Sequence, residues 1–254
     1  MVQLILTPAA GKRLIAKAVA AYAPIQAALK TGTVVIVAGT TNGYVAEEIL
    51  GAIGQLEGFS RGAFSRGITL PPSGTPGTGG SSGRKAFQGD VVIVKGEWQK
   101  GKTIFDVAGS LKEGDIILKG ANALNVSQRR AAVLIGHPEG GTIAAAMQAV
   151  IGKRVRLVIP VGLEKRVSCD LDSLSLEINS PGVKGPRLLP VQGEVITELD
   201  SVSILSGATA ELFAAGGVCG AEGTVWLAVK GKKDMEEHIK KIADGLSKEP
   251  PFAF

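Results

Sequence analysis

Aromatic side chains are scarce, at 4% of the 254 residues. A core of any size must then be built from Val, Ile, Leu and Ala, within an apolar fraction of 45%. Cysteine and histidine are as thin, at two each: Cys169, Cys219, His137 and His238. Neither cysteine lies near a histidine in the chain, which argues against a disulfide-stapled scaffold and against a zinc motif. No metal and no other cofactor is expected, and the two thiols suit the reducing cytoplasm. No apolar run reaches the roughly 18 residues that span a bilayer. The N-terminus lacks a basic start followed by an apolar stretch, so no signal peptide is expected. A basic stripe with interleaved aromatics is also missing, which speaks against nucleic acid as a partner. The formal charge of +5 is modest and spread along the chain. It suits small anionic molecules as well as plain solubility, and the composition permits a homo-oligomer.

Glycine, by contrast, is abundant, with 35 residues, and implies many turns and close backbone contacts. Thr7 followed by Pro8 reads as a helix N-cap with proline in the first turn. Leu14, Ile15, Ala18, Val19 and Tyr22 then recur at helical spacing. Residues 33–38 (TVVIVA) form a continuous β-branched run, as expected of a strand buried on both faces. A helix is expected over residues 44–53. Residues 58–89, including "TLPPSGTPGTGGSSGRKAFQG", are too rich in Gly, Pro and Ser for a core and read as a mobile excursion, centred on residues 72–83. Strands resume at 90–96, 115–120, 131–136 and 155–162, with a helix at 141–151. Apolar strands alternating with helices predict an α/β domain over residues 1–185, a mostly parallel sheet flanked by helices. Over residues 186–254 the pattern becomes a helix (194–206), two strands (208–215 and 224–229) and an amphipathic helix (232–246). That order predicts a smaller ferredoxin-like α+β domain.

In open α/β sheets, ligands bind outside the carboxyl ends of the strands. Three polar loops stand at such places. Gly39-Thr40-Thr41-Asn42-Gly43 joins the strand at 33–38 to a helix. Backbone N–H groups at a helix start, together with the helix dipole, attract negative charge. Glu139-Gly140-Gly141-Thr142 repeats that arrangement before the helix at 141–151. Between them, Lys119-Gly120 closes a strand and leads into Asn122 and Asn125, which supply neutral hydrogen-bonding groups. Lys95 and Lys230 close strands with the same Lys-Gly ending, but Lys119 is the stronger candidate for the main charge of an anion site. Each loop taken alone also fits an ordinary turn. His137, between Gly136 and Pro138, reads as a turn histidine.

The order of these loops resembles the superfamily of ribose-5-phosphate isomerase, glucosamine-6-phosphate deaminase and the coenzyme A transferases. "AGTTNG" stands where that superfamily has its phosphate loop, "KGANALN" where the isomerase has an aspartate-bearing strand end, and "HPEGGT" where a glycine loop opens the next helix. "VIPVGLEKRV", with Lys165, is similar to a strand that ends in a lysine-bearing turn. The resemblance implies an anion cleft at these loops. It also marks departures. Lys119 and Asn122 replace the two aspartates, no lysine precedes the glycines, and Ala144-Ala145-Ala146-Met147 stands where the isomerase carries its glutamate base. Proton abstraction beside a carbonyl needs a positioned base, so isomerase chemistry is not expected.

Three functions compete. The first is the binding of a small phosphorylated or carboxylated metabolite in a cleft formed by the strand-end loops. The second is acyl transfer through a glutamate, either Glu222 in "CGAEGTV" or Glu139 in "PEGG". The third is a structural role without a ligand, which leaves the clustered polar loops unexplained.

Overall fold

The computed structural model describes residues 1–67, 69 and 87–252. Residues 72–83, at the centre of the Gly/Pro/Ser-rich stretch, lie outside the described residues. Among those described, the chain runs β1 (Val2–Leu6), α1 (Pro8–Ala21), α2 (Ala23–Thr31), β2 (Thr33–Ile36), α3 (Thr40–Ala52), β3 (Val91–Val94), β4 (Glu97–Trp98), α4 (Ile104–Val107), β5 (Ile116–Leu118) and β6 (Ala123–Asn125). It continues through β7 (Arg130–Ile135), α5 (Gly141–Lys153), β8 (Arg156–Pro160), α6 (Leu171–Ile178), β9 (Arg187–Val191), β10 (Glu194–Ile196), α7 (Glu198–Ser206), β11 (Thr209–Ala215), β12 (Val225–Lys230) and α8 (Lys233–Leu246). The protein is a mixed α/β structure.

Its central sheet has six strands in the order β10-β8-β5-β2-β3-β4. The first four are parallel to one another, and β3 and β4 are antiparallel to their neighbours. The apolar runs are continuous because both faces of the sheet are covered. Val34, Ile36, Ile116 and Leu118 pack in one cluster with Ile15, Val19 and Tyr44. Their sequence neighbours Val35, Val37 and Ile117, with Leu157 of β8, pack in the other with Ile104, Ala146 and Ala149. No helix among the described residues is long and apolar enough to cross a membrane.

Several expectations need correction. Residues 131–136 do form a strand, but β7 pairs antiparallel with β6 and β9 in a sheet of its own. A parallel neighbour needs a crossover of a dozen residues or more, and the short connection from β5 to β7 is spent on β6. The helix expected from residue 194 begins at Glu198. Residues 194–196 are β10, laid parallel on β8. The β-branched pair Val195-Ile196 favours a strand, and Thr197 sets the helix start in a capping box with Asp200. The C-terminal pattern does not stand apart as a ferredoxin-like unit. Its strands β12 and β11 form a three-stranded sheet with β1 from the other end of the chain. The pairings β7–β9 and β8–β10 also run across the boundary expected at 185/186.

Helix α3, whose first turn reaches the site described below, is tied to α1 by an ionic cluster as well as by its apolar face. Arg13 bonds Glu47 at 2.7 Å, Glu48 at 3.1 Å and Glu249 at 3.1 Å. Arg61 joins Glu47 at 3.2 Å and Glu249 at 3.1 Å. Both guanidiniums lie over the ring of the buried Tyr44, 4.8 and 4.0 Å from its centroid. Arg13→Met keeps most of the apolar stem but leaves carboxylates facing one another. It should lower stability by about 2–3 kcal/mol, less than for a fully buried pair because the carboxylates keep some solvent. Chemical denaturation of the variant checks this, and a change below about 0.5 kcal/mol would show the cluster to be a surface feature.

Candidate functional site

The carboxyl ends of β2, β5 and β8 open on one cleft of about 330 Å³. Residues 38–42 follow β2, residues 119–122 follow β5, and residues 164–165 follow β8. The opposite wall comes from the end of β7 and the first turn of α5, with Gly140, Gly141 and Thr142. The two glycine loops therefore share a cleft, although their strands belong to different sheets.

Helices α3 and α5 both begin at this cleft, and neither has a side-chain cap or an acidic residue in its first turn. By contrast, the starts of α1 and α6 are closed by Thr7 and Asp170, and that of α7 by Thr197. The first N–H groups of a helix have no intrahelical partner and carry the positive end of its dipole. Two such ends thus converge on the same space. Gly140 and Gly141 have φ of 79° and 61°, the left-handed region that glycine tolerates, and a Cβ on Gly140 would lie 2.8 Å from the Ala144 Cβ. Gly39 has no such need. Its φ is 171°, which any residue adopts, and a Cβ there would meet nothing within 4 Å. The space it keeps open is the cleft itself.

Among the described residues, the lining carries four cationic side chains, Lys12, Arg66, Lys119 and Lys165, and one carboxylate, Glu164. Lys12 is paired with Glu164 at 2.7 Å. Lys165 donates to the Ala121 carbonyl at 2.7 Å. Lys119 reaches only the Gly120 carbonyl, at 3.5 Å, and joins no ion pair among the described residues. Burial pushes its ammonium down to about 8, with help from the charge of Lys165 and against the pull of Asp90. Asp90 is itself engaged: its carboxylate accepts from Ala38 N at 2.9 Å and Ile104 N at 2.8 Å, with Arg66 at 3.8 Å. Burial also lowers Lys165.

Near Glu164 and Lys12, Glu198 is buried and accepts from Leu163 N at 2.9 Å. Burial, reinforced by the negative charge of Glu164, raises its carboxyl above the usual range. The cations Lys12 and Lys165 outweigh burial at Glu164 and hold that carboxyl low. Gly11 lets Glu198 approach α1, since a Cβ there would lie 2.5 Å from Glu198 Oε1.

Of the residues expected at the site, Gly39, Thr40, Thr41, Lys119, Gly120, Asn122, Gly140, Gly141, Thr142 and Lys165 all line the cleft. The Thr41 hydroxyl is buried without a hydrogen-bond partner among the described residues. Asn42 also lines it but is fully buried, and its amide N–H groups donate to Val37 O at 2.7 Å and Leu118 O at 3.0 Å. It ties β2 to β5, so those donors are not free for a ligand. Asn122 accepts from Leu134 N at 3.0 Å and fixes the loop to β7. Asn125 instead shapes the next turn, accepting from Ser127 Oγ at 2.8 Å and Gln128 N at 3.0 Å. Glu139 is not part of the lining. It is exposed, and its N–H donates to His137 Nδ1 at 3.2 Å in the turn before α5. Lys95, Lys230 and Glu222 also lie outside the cleft.

Sequence reading missed Lys12, Arg66, Glu164 and Glu198. The signal at Lys12 is a lysine within the buried stretch Ala9 to Ile15 of α1. Glu164 adjoins Lys165, but nothing in the sequence marks Glu198 as its neighbour. No protein-family model, curated protein or solved structure matches the chain.

Proposed function

We propose that the protein binds a small phosphorylated or carboxylated metabolite in the cleft between the starts of α3 and α5. One observation carries this reading: two uncapped helix N-termini meet a lining that, among the described residues, has four cationic side chains and one carboxylate, which is already paired to Lys12. An anion there gains backbone donors, two dipole ends and Lys119 together. The cleft is also the right scale for a small ligand. The likeness to the sugar-phosphate isomerase and coenzyme A transferase superfamily rests on the order of these loops in the sequence. The alanines of α5 leave the isomerase base without a counterpart. Acyl transfer finds no support, because Glu139 and Glu222 both lie outside the cleft.

Thermal denaturation with inorganic phosphate, sugar phosphates and dicarboxylates tests the reading, with sulfate as control. A ligand at a hundred times its Kd should raise Tm by about 5–10 °C. If no phosphate or carboxylate shifts Tm or binds by calorimetry at millimolar concentration, the cleft is not an anion site.

A further inference from the structure

We propose that Lys119 is a nucleophilic amine that forms an imine with its ligand, and that the ligand therefore carries an aldehyde or ketone beside its anionic group. This rests on the anion reading above and names the substrate class of the same cleft.

The argument begins with what the other cations do. Lys12 is tied to Glu164 at 2.7 Å, and Lys165 to the Ala121 carbonyl at 2.7 Å. Among the described lysines of the lining, Lys119 alone has no close partner among the described residues, its one hydrogen bond there being 3.5 Å long. It follows the end of β5, fixed by a rigid strand, in a cleft whose other charges disfavour the third proton that would make its amine an ammonium. Lys165 and Arg66 share the lining with it, and both helix starts present positive dipole ends. The carboxylate that favours its charged form is Asp90, and both oxygens of Asp90 are occupied by backbone N–H groups. Desolvation beside another cation is how a lysine becomes a nucleophile near neutral pH. The half-protonation point of about 8 agrees with that role.

The step balances without any further reagent. The anionic group docks on the N–H groups of α3 and α5, which brings the carbonyl carbon to Lys119. The nitrogen lone pair forms the C–N bond while the carbonyl π pair moves to oxygen. The two amine protons pass to that oxygen, which leaves as water, and a C=N bond remains. Holding the anion next to the amine replaces a bimolecular encounter with an intramolecular one.

The test uses dihydroxyacetone phosphate as probe, dihydroxyacetone as the uncharged control, and sodium borohydride to reduce any imine to a stable secondary amine. Intact mass and peptide mapping locate the adduct, and thermal denaturation with inorganic phosphate is run in parallel. The expected result is a single adduct on Lys119, formed at least about tenfold faster with the phosphorylated probe, at a rate that rises with pH through about 8. Lys119→Arg keeps the charge but cannot form the imine, so it should give no adduct. If phosphate raises Tm and Lys119 stays unmodified, or labelling is no greater there than at surface lysines, the imine is overturned and anion binding stands. Equal labelling by the uncharged control overturns the anionic carbonyl as substrate class. If neither a thermal shift nor an adduct appears, the anion reading fails, and the imine with it.

Discussion

Lys119→Met should make the free protein more stable at pH 7 and loosen its hold on phosphate. Burial holds the Lys119 ammonium at about 8 in the folded protein, against the ordinary lysine value of 10.5. Below pH 8 the amine is protonated in both states, and the folded state bears the whole cost of keeping the charge out of water. Between about 8 and 10.5 the folded protein sheds the proton first. The unfolded chain then binds more protons, so stability rises with pH across that window. The cost is thus fully present at pH 7 and gone above 10.5. The separation of the two values corresponds to about 3 kcal/mol. Methionine is similar in length and flexible enough to fill the space without strain, so most of that amount should appear as added stability. Urea denaturation at pH 7, 8.5 and 10 would show the variant's advantage shrinking as pH rises.

Binding should move the other way. A charge-assisted hydrogen bond to a phosphate oxygen contributes roughly 1.5–3 kcal/mol, so losing it should weaken affinity about ten- to a hundredfold. Gains in stability paired with losses in binding are the mark of a group kept for function. A Lys119→Met protein less stable than the wild type at pH 7 would show that the lysine is structural and sink the assignment.

What the sequence disclosed follows from how local each signal is. Strands β2 and β5 were legible because burial on both faces leaves an unbroken run of Val, Ile and Leu. The start of α1 was legible from Thr7 and Pro8, which act within one turn. The loops at the ends of β2 and β5 and before α5 were legible as Gly, Thr and Asn clusters. What those residues do there was not. Asn42 looks like a ligand donor in sequence, yet its partners are carbonyls of two adjacent strands, and only the pairing of β2 with β5 brings Leu118 to it. Strand β1 was overlooked because its partner β12 lies at the far end of the chain, and its alternating burial covers only a few residues. Lys12, Glu164 and Glu198 form a group only once α1 and α7 pack beside the end of β8, a juxtaposition of distant segments that no local pattern encodes. The fold's parts were readable wherever one element decides, and the site wherever one loop decides.

Gly39→Asp should stabilise the protein and abolish anion binding in one step. Gly39 is the N-cap of α3, with extended backbone and open space where a Cβ would stand. Aspartate is among the strongest N-cap residues, because its carboxylate accepts the free N–H groups of the first turn. It also meets the positive end of the helix dipole, in a lining that already holds Lys119, Lys165 and Arg66. The gain over glycine should be on the order of 1 kcal/mol. The same carboxylate occupies the donors that an anionic ligand would use and repels that ligand in a partly desolvated space. Phosphate affinity should fall at least about a hundredfold, near the limit of detection for a weak ligand. A negative charge beside Lys119 would also restore its proton and slow imine formation at neutral pH. Gly39→Ala separates charge from bulk: its methyl group meets no protein atom within 4 Å, so stability should stay nearly unchanged. Calorimetric titration with phosphate, alongside denaturation of both variants, decides the matter. A Gly39→Asp protein that keeps phosphate affinity within about threefold of the wild type would place the anion somewhere other than the start of α3.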